Sequence, residues 1–396
     1  MPLATLSTLT IVVAAATLAP LLSDRLARWV AIPSVVLEIL LGILIGPQVF
    51  GWAREDEVIG FLADFGLAML IFLAGYELKL GDVRGKPMRL ATVGWLISLV
   101  LGLGFGALVH GFSYSSLIVG LALTTTALGT TLPMVRDAGL LGTPLGIRVL
   151  AIGALGEFGP ILAVALLLND QSPLRTILLL AVFGLAAARM LWVAAHRRSE
   201  RISRLIRTTL GTSAQFAVRL CMVVVVLMLW IAGALGLDVL LGAFVAGLVV
   251  RLFLDAGAPE EAEVVEGKIE AIGFGLFIPL FFVVSGMRYD LAALLATPSA
   301  FALLPVFLVL FFVIRGLPIL ALHRRDLPKR PKWTLALLGS AALPMVVVIT
   351  TIGTEVGAMP PSTASALVGA AMISVLVFPM LGLRLSRAAA VAKSDA

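Results

Sequence analysis

One carboxyl group stands where a chain of this kind rarely keeps one. Glu157 lies in Ala151-Ile-Gly-Ala-Leu-Gly-Glu-Phe-Gly-Pro160, near the middle of an apolar run from residue 143 to 168. A run of that length spans a bilayer as a helix. A charged side chain at the centre of such a helix costs about 3 kcal/mol on insertion scales. The group is therefore expected to face a wet cavity or a partner, and to trade one cation for another. Arg315, in Phe311-Phe-Val-Ile-Arg-Gly-Leu-Pro318, is the other deep charge. Arg keeps its proton in proteins, so it can compensate a carboxylate or hold the carbonyls of an interrupted helix. The plainer reading is that it snorkels to the nearer membrane face. Leu121-Ala-Leu-Thr-Thr-Thr-Ala-Leu-Gly-Thr-Thr-Leu-Pro133 adds hydroxyls. Oxygen atoms of Thr125 and Thr126 are hard ligands that suit a dehydrated alkali ion, although any single Thr can simply bond its own helix. Glu38, Asp64, Glu77 and Asp238 lie toward the ends of apolar runs. They read as interfacial or vestibule charges, with Asp64 placed to gather cations.

The elements that must position these groups are membrane helices. The chain has 396 residues, 60% of them hydrophobic and 13% charged, and its mean hydropathy is +1.10. A soluble domain of this size does not have that composition. The net charge of +6 is not a nucleic-acid signal, because the basic residues sit in short loops between apolar runs. Cys221 is the single cysteine, which excludes a disulfide framework and a cysteine metal site. The first apolar run has no basic leader and no clear small-residue cleavage site, so it reads as a retained helix.

Thirteen spans are expected, near 3–22, 32–50, 58–78, 88–109, 115–136, 143–168, 173–194, 212–236, 239–254, 268–287, 300–322, 333–353 and 361–383. Most of the 29 Lys and Arg fall after odd-numbered spans or in the C-terminal tail. Arg54, Arg175 and Arg288 fall on the other side, and Arg189, Arg219 and Arg315 within spans. That asymmetry places the N-terminus outside and the C-terminus in the cytoplasm of a cell-membrane protein. The basic connector from His196 to Arg207 reads as a cytoplasmic helix against anionic lipid. The acidic stretch from Asp255 to Glu270 reads as a cytoplasmic loop. The tail from Arg384 to Ala396 is too short for a domain, so no soluble regulatory domain is expected after the last span.

The chain repeats itself. Leu37-Glu-Ile-Leu-Leu-Gly42 returns as Leu237-Asp-Val-Leu-Leu-Gly242, and Leu132-Pro-Met-Val135 returns as Leu343-Pro-Met-Val346. The stretch ending in Gly75 parallels, more weakly, the one ending in Gly286. The order is kept and the shift is seven spans. An odd shift reverses direction across the membrane, which implies inverted-topology repeats over about 30–168 and 237–385. Proline inside a span frees backbone carbonyls, and lipid tolerates such a break only inside the protein or beside a cavity. Pro133 and Pro344, with Thr131 beside the first, are thus expected to mark two broken helices around a midplane binding site.

Other patterns carry less. Gly102-Leu-Gly-Phe-Gly106 lies within an apolar span with no strand before it, so helix packing explains it better than a nucleotide loop. His110, His196 and His323 are scattered over loops and do not group as metal ligands. No Ser-His-Asp set or intramembrane carboxylate pair points to a hydrolase, so the chain is not read as an enzyme and no cofactor is expected.

The chain resembles the monovalent cation:proton antiporter-2 family, the Kef/NapA-like group. The matching stretches are Glu38-Ile-Leu-Leu-Gly-Ile-Leu-Ile-Gly-Pro47, Phe72-Leu-Ala-Gly-Tyr-Glu-Leu78, Thr124-Thr-Thr-Ala127 and Pro279-Leu-Phe-Phe-Val-Val-Ser-Gly-Met287. They keep the family's order over nearly the whole chain. The resemblance implies an all-α membrane fold of about thirteen helices in two inverted repeats, with crossed broken helices. It also implies a homodimer and exchange of Na+ or K+ for H+. The family's cation-binding Asp, usually preceded by Asp, Asn or Gln, falls on Glu157, preceded here by Gly156. The family's basic residue, often Lys, falls on Arg315.

Burial opposes the charge on Glu157 and a nearby Arg315 would favour it, so proton and cation can compete for one carboxylate. With Gly156 and Arg315 standing where an acid and a Lys could carry further protons, one-for-one electroneutral exchange is expected. Two other readings share the sequence. One is a same-fold transporter of another solute, such as an organic anion or metabolite. The other is a membrane sensor or subunit without turnover.

Overall fold

The computed structural model describes residues 2–26, 32–77, 85–167, 173–196, 205, 208–209, 211–255, 259–296 and 298–394. Among the described residues there are helices and no strands. In chain order they are α1 (Leu3–Leu26), α2 (Ser34–Ile45), α3 (Glu57–Glu77), α4 (Lys86–His110), α5 (Tyr114–Ala122), α6 (Leu128–Asp137), α7 (Pro144–Leu167), α8 (Pro173–His196), α9 (Phe216–Ala234), α10 (Val239–Asp255), α11 (Pro259–Ile272), α12 (Ile278–Arg288), α13 (Leu291–Ala296), α14 (Pro298–Phe311), α15 (Leu317–Leu322), α16 (Lys329–Ser340), α17 (Pro344–Glu355) and α18 (Pro361–Ser394). Two π-helical turns, Gly273–Phe277 and Phe312–Gly316, join α11 to α12 and α14 to α15.

All thirteen apolar segments expected from the sequence are helical. Nine runs among the described residues are long and apolar enough to cross a membrane. The other four segments are short, interrupted or less apolar at their ends: α2, α5 with α6, α8 and α10. Helices carry these segments because a spanning backbone must satisfy its own polar groups. Proline sets many starting points. Helices α7, α8, α11, α14, α17 and α18 each begin on one, where the missing N–H costs nothing and φ is already helical. One expectation fails here. The acidic stretch from Asp255 to Glu270 is not a loop: most of it forms α11, which runs through a π turn into α12. The tail beyond Arg384 continues α18 to Ser394. The connector between His196 and Arg207 lies, save His196 and Leu205, outside the described residues.

The chain forms two compact units. The first holds Met1–Ile59, Leu80–Val164 and Phe282–Ala396, and the second holds Gly60–Lys79 and Ala165–Phe281. In the first unit α12 lies backbone to backbone on α2. A Cβ on Gly286 would stand 2.1 Å from the Ile39 carbonyl oxygen, and one on Gly46 would stand 3.0 Å from Met287 Cα. In the second unit α3 lies on α10 in the same way. A Cβ on Gly247 would stand 2.1 Å from the Phe72 carbonyl oxygen and 2.5 Å from Tyr76 N. Small residues permit such approaches between membrane helices. Within the first unit α4 packs on α5, where Gly102 and Gly106 face the carbonyls of Gly120 and Ser116. This agrees with the packing reading of that glycine run.

At one end of the first unit Lys86 bonds Asp326 at 2.6 Å, and His323 follows α15. The His323 ring is 1% exposed. Its Nδ1 lies 3.1 Å from the Ile319 carbonyl, and its Nε2 is buried without a partner among the described residues. Burial pushes the His323 pKa below the ordinary value, and the cations of Arg148 and Lys86 add to this against Asp326 and the Ile319 bond. The folded state thus prefers the neutral ring, whereas the unfolded chain titrates near 6.5. Its contribution to stability is complete above that pH and is lost as pH falls below it. Thermal unfolding in detergent should therefore drop between pH 7.5 and pH 5.5, and His323→Phe should shrink that drop. An equal drop in the variant would remove His323 from the account.

Candidate ion-coupling site

The site is built where two helices stop and resume. Helix α5 makes its last α-type bond from Leu123 N–H to the Val119 carbonyl, and α6 resumes with Thr131 N–H to Ala127. In between, the Thr124 and Thr125 hydroxyls donate back to the Leu121 and Ala122 carbonyls at 2.8 and 2.9 Å. The last two backbone donors of the break turn outward. Thr126 N–H donates to the Gly156 carbonyl at 3.0 Å, and Ala127 N–H to the Ala341 carbonyl at 2.7 Å. Ala341 belongs to the second break, between α16 and α17. There the Ala342 N–H donates to Ser374 Oγ of α18 at 3.0 Å, and Pro344 opens α17. The two breaks thus meet by direct hydrogen bonds, and α17 packs on α5.

Glu157, on α7, faces this crossing. It is 1% exposed. Gly129 N–H, in the first turn of α6, donates to its Oε1 at 3.2 Å. A helix N-terminus offers unpaired N–H groups and a partial positive charge, which suits an anion. Glu157 Oε2 is buried and has no hydrogen-bond partner among the described residues. A buried acceptor left in this way is costly.

Arg315, held in the π turn between α14 and α15, is also 1% exposed, so it does not snorkel. Its Nε and Nη2 donate to Thr126 Oγ1 at 3.0 and 2.7 Å, and Nη2 reaches the Ile152 carbonyl at 3.3 Å. The expected charge compensation of Glu157 by Arg315 is corrected by this geometry: among the described residues the guanidinium pairs with no carboxylate. The N-terminus of α6 supports the carboxylate instead. Thr126 also changes role. Its hydroxyl donates to the Gly339 carbonyl at 2.7 Å and accepts twice from Arg315. A hydroxyl has one donor and two lone pairs, so Thr126 has none left for an ion. Arg315 and Thr126 together lock α5, α7 and α16 at the crossing.

Gly156 is part of that lock. A Cβ there would stand 2.3 Å from Thr126 Cβ and 2.9 Å from Arg315 Nη2. Thr125 is buried beside the break, and its hydroxyl retains lone pairs after its own backbone bond. Thr131, buried in the first turn of α6, donates to the Ala127 carbonyl at 2.8 Å. Pro133 does not mark the first break. The interruption lies at Leu123–Ala127, and Pro133 sits inside the continuous α6. Pro344 does mark the second break, so the two matching Leu-Pro stretches are not structurally equivalent. Glu38 is corrected too. It is 5% exposed, within α2, and its Oε2 has no partner among the described residues, so it is not an interfacial charge. Asp238 fits a span end, accepting the Leu240 N–H at 2.9 Å before α10. Asp64 is exposed on α3 and belongs to the second unit. Gly339, Ile152 and Ser374 escaped sequence reasoning. A Ser flanked by apolar residues in the middle of α18 is the only signal Ser374 gives, while the other two act through backbone carbonyls and give none.

Lys at position 315 should test the lock. A single ammonium cannot reproduce a guanidinium fork that binds one hydroxyl twice and a carbonyl once. Buried bonds to charged groups are worth about 1.5–3 kcal/mol each. Arg315→Lys should therefore lower the unfolding temperature in detergent by several degrees. An unchanged melting curve would show that these bonds do not hold the crossing.

A family model described as sodium/hydrogen exchanger, transmembrane, matches residues 13–383. The chain belongs to this family. This exchanger-family chain is a multi-pass membrane protein. It is 23% identical to YjbQ of Bacillus subtilis over 94% of its own length, and it spans 62% of the length of that relative. It is 26% identical to the Na+/H+-K+ antiporter GerN of Bacillus cereus, covering 68% of this chain and 69% of GerN. The sodium proton antiporter MjNhaP1 of Methanocaldococcus jannaschii superposes with a TM-score of 0.70 at 15% identity, over 98% of each chain. The family protein thus has the antiporter fold.

Proposed function

We propose that the protein exchanges Na+ or K+ for H+ by alternating access, with both ions competing for Glu157. The observation that carries this reading is the Glu157 carboxyl: one oxygen on the N-terminus of α6, the other buried and unpartnered at the meeting of two helix breaks. A bare charge in that place resists movement through a bilayer. Either a proton or a cation neutralises it, so only the loaded carrier crosses. Thr125 and break carbonyls are the supporting ion ligands. Arg315, Thr126 and Gly156 position the break and do not touch the ion. Arg315 keeps its proton and Gly156 brings no acid, so Glu157 alone exchanges a proton at the crossing and the exchange is one-for-one.

The remaining architecture follows the same reading. The protein is a homodimer with its N-terminus outside and its C-terminus in the cytoplasm. Its halves, about 30–168 and 237–385, are inverted repeats. The exchanged packing supports this: a helix of the second half lies on α2 in one unit, and a helix of the first half lies on α10 in the other. A two-fold relation between halves produces such an exchange. GerN, named as a Na+/H+-K+ antiporter, supports the ion class.

Purified protein in liposomes tests the proposal, with Na+, K+, Li+ and organic solutes added in turn and an internal pH dye as readout. An alkali cation should collapse the pH gradient, at a rate indifferent to imposed voltage. Flux evoked only by an organic solute, or no flux at all, would overturn it. A steep voltage response would overturn its stoichiometry.

A further inference from the structure

A polar cavity lies in the first unit, beside the C-terminal half of α17 and apart from the helix crossing. Its volume is about 260 Å³, and Ser285, Tyr289, Asp290, Thr350, Thr351 and Thr354 contribute to its wall. At 1.5 Å per residue, Thr350 is about 10 Å along α17 from the break at Leu343. None of Glu157, Thr126, Gly156 or Arg315 lines it.

The wall is rich in acceptors. Thr350 donates to the Val346 and Val347 carbonyls, Thr351 to Val347, Thr354 to Thr351, and Tyr289 to the Ser365 carbonyl. With their hydrogens committed, these hydroxyls have only lone pairs left to offer a ligand. Asp290 adds a carboxylate, one oxygen of which accepts from Gln48 and from Ala293 N–H. The one cationic side chain in the wall, Arg288, is clasped by Glu55, with Nε 2.9 Å from Oε2. Helices α12 and α17 both end here, at Arg288 and Glu355, and a helix C-terminus carries a partial negative charge. The independent sign of a ligand is Ser285. It is 8% exposed, it lines the cavity, and its hydroxyl has no partner among the described residues. Buried polar groups are nearly always satisfied, so the Ser285 hydroxyl calls for a polar partner that the described residues do not supply.

We propose that this cavity is a second, weak site for a monovalent cation that keeps part of its hydration shell. Hydroxyl and carboxylate oxygens are hard ligands suited to such an ion. At ~30 Å³ per water, the space holds on the order of eight waters, too many for a stripped ion and enough for a solvated one. The Asp290 carboxylate and an arginine already paired with Glu55 disfavour anions; the helix ends do not decide the sign, because the first turn of α18, at Pro361 and Ala364, lines the wall beside the ends of α12 and α17. The site's use as an antechamber for the exchanged ion rests on the antiport reading. Its ability to bind does not.

Crystals soaked in Tl+, an anomalous scatterer of K+-like size, give the test. Wild type and Glu157→Gln should both show Tl+ in the cavity, and Ser285→Ala/Thr351→Val should not. An empty cavity in the wild type, or Tl+ undiminished in the double variant, overturns the proposal. In liposomes the double variant should raise the half-saturating cation concentration roughly three- to tenfold, with the maximal rate nearly kept. An unchanged value would count against the antechamber. Tl+ bound in a protein that performs no antiport would leave this site standing and sink the exchange reading.

Discussion

Glu157→Gln should bring proton-coupled cation uptake in liposomes down to the level of protein-free vesicles. Gln keeps the shape of the side chain and can still accept from Gly129 N–H, so α6 stays seated. The change falls on the unpartnered oxygen. An amide there offers no negative charge to a cation, and losing a buried charged contact of about 3 kcal/mol weakens binding on the order of 10²-fold. It also has no proton to release, which removes coupling whatever affinity remains. The melting temperature of the variant should stay within a few degrees of wild type, because no bond in the Arg315–Thr126 lock is touched. Proton-coupled uptake that survives in a well-folded variant would move the coupling to another acid, and buried Glu38 would be the first to examine.

Gly156→Asp should be as damaging, for a different reason. An acid at this position resembles the family's more usual pattern, so a sequence comparison alone would treat the change as a restoration. The structure says otherwise. The new Cβ would stand 2.3 Å from Thr126 Cβ and 2.4 Å from its Oγ1, distances no real contact shows. Either the first break shifts, carrying the Thr126 N–H away from the Gly156 carbonyl, or Arg315 loses its hydroxyl. Overpacking alone costs about 1–3 kcal/mol, and a disrupted buried charge network adds to that. The unfolding temperature should fall by several degrees or more, and antiport should be lost with it. A Gly156→Asp protein that is as stable as wild type would mean that Thr126 and Arg315 can vacate that space freely.

Much of this architecture could be read from residues alone. The thirteen apolar runs had the length and uniform hydrophobicity of spanning helices, and prolines mark the first residue of several. Glu157 and Arg315 stood out because charge inside such runs has few explanations. The inner workings of the site were less legible. The first break falls at Leu123–Ala127 and not at Pro133, since it depends on partners from distant segments, Gly156 and Ala341, that take up the backbone donors. Proline can sit inside α6 because helix bonding continues around it. Glu38 lies only a few residues from the start of its span, which suggested an interface, yet the helices around α2 bury it. Arg315 was expected beside the acid because opposite charges attract. Its fork is instead filled by Thr126 and Ile152, and the acid is served by helix α6. The position of the break and the support of the acid turn on backbone groups, which carry no residue-specific signature, and the burial of Glu38 turns on packing between distant segments.

The most direct measurement is proton release on cation binding. Purified protein in weakly buffered detergent, held at a pH where Glu157 carries its proton, is mixed with Na+ or K+, and a pH dye counts the protons set free. The competition described here yields up to one proton per chain, saturating with cation concentration, and none from Glu157→Gln. Release of equal size from Glu157→Gln, or cation binding to the wild type with no proton set free, would contradict it.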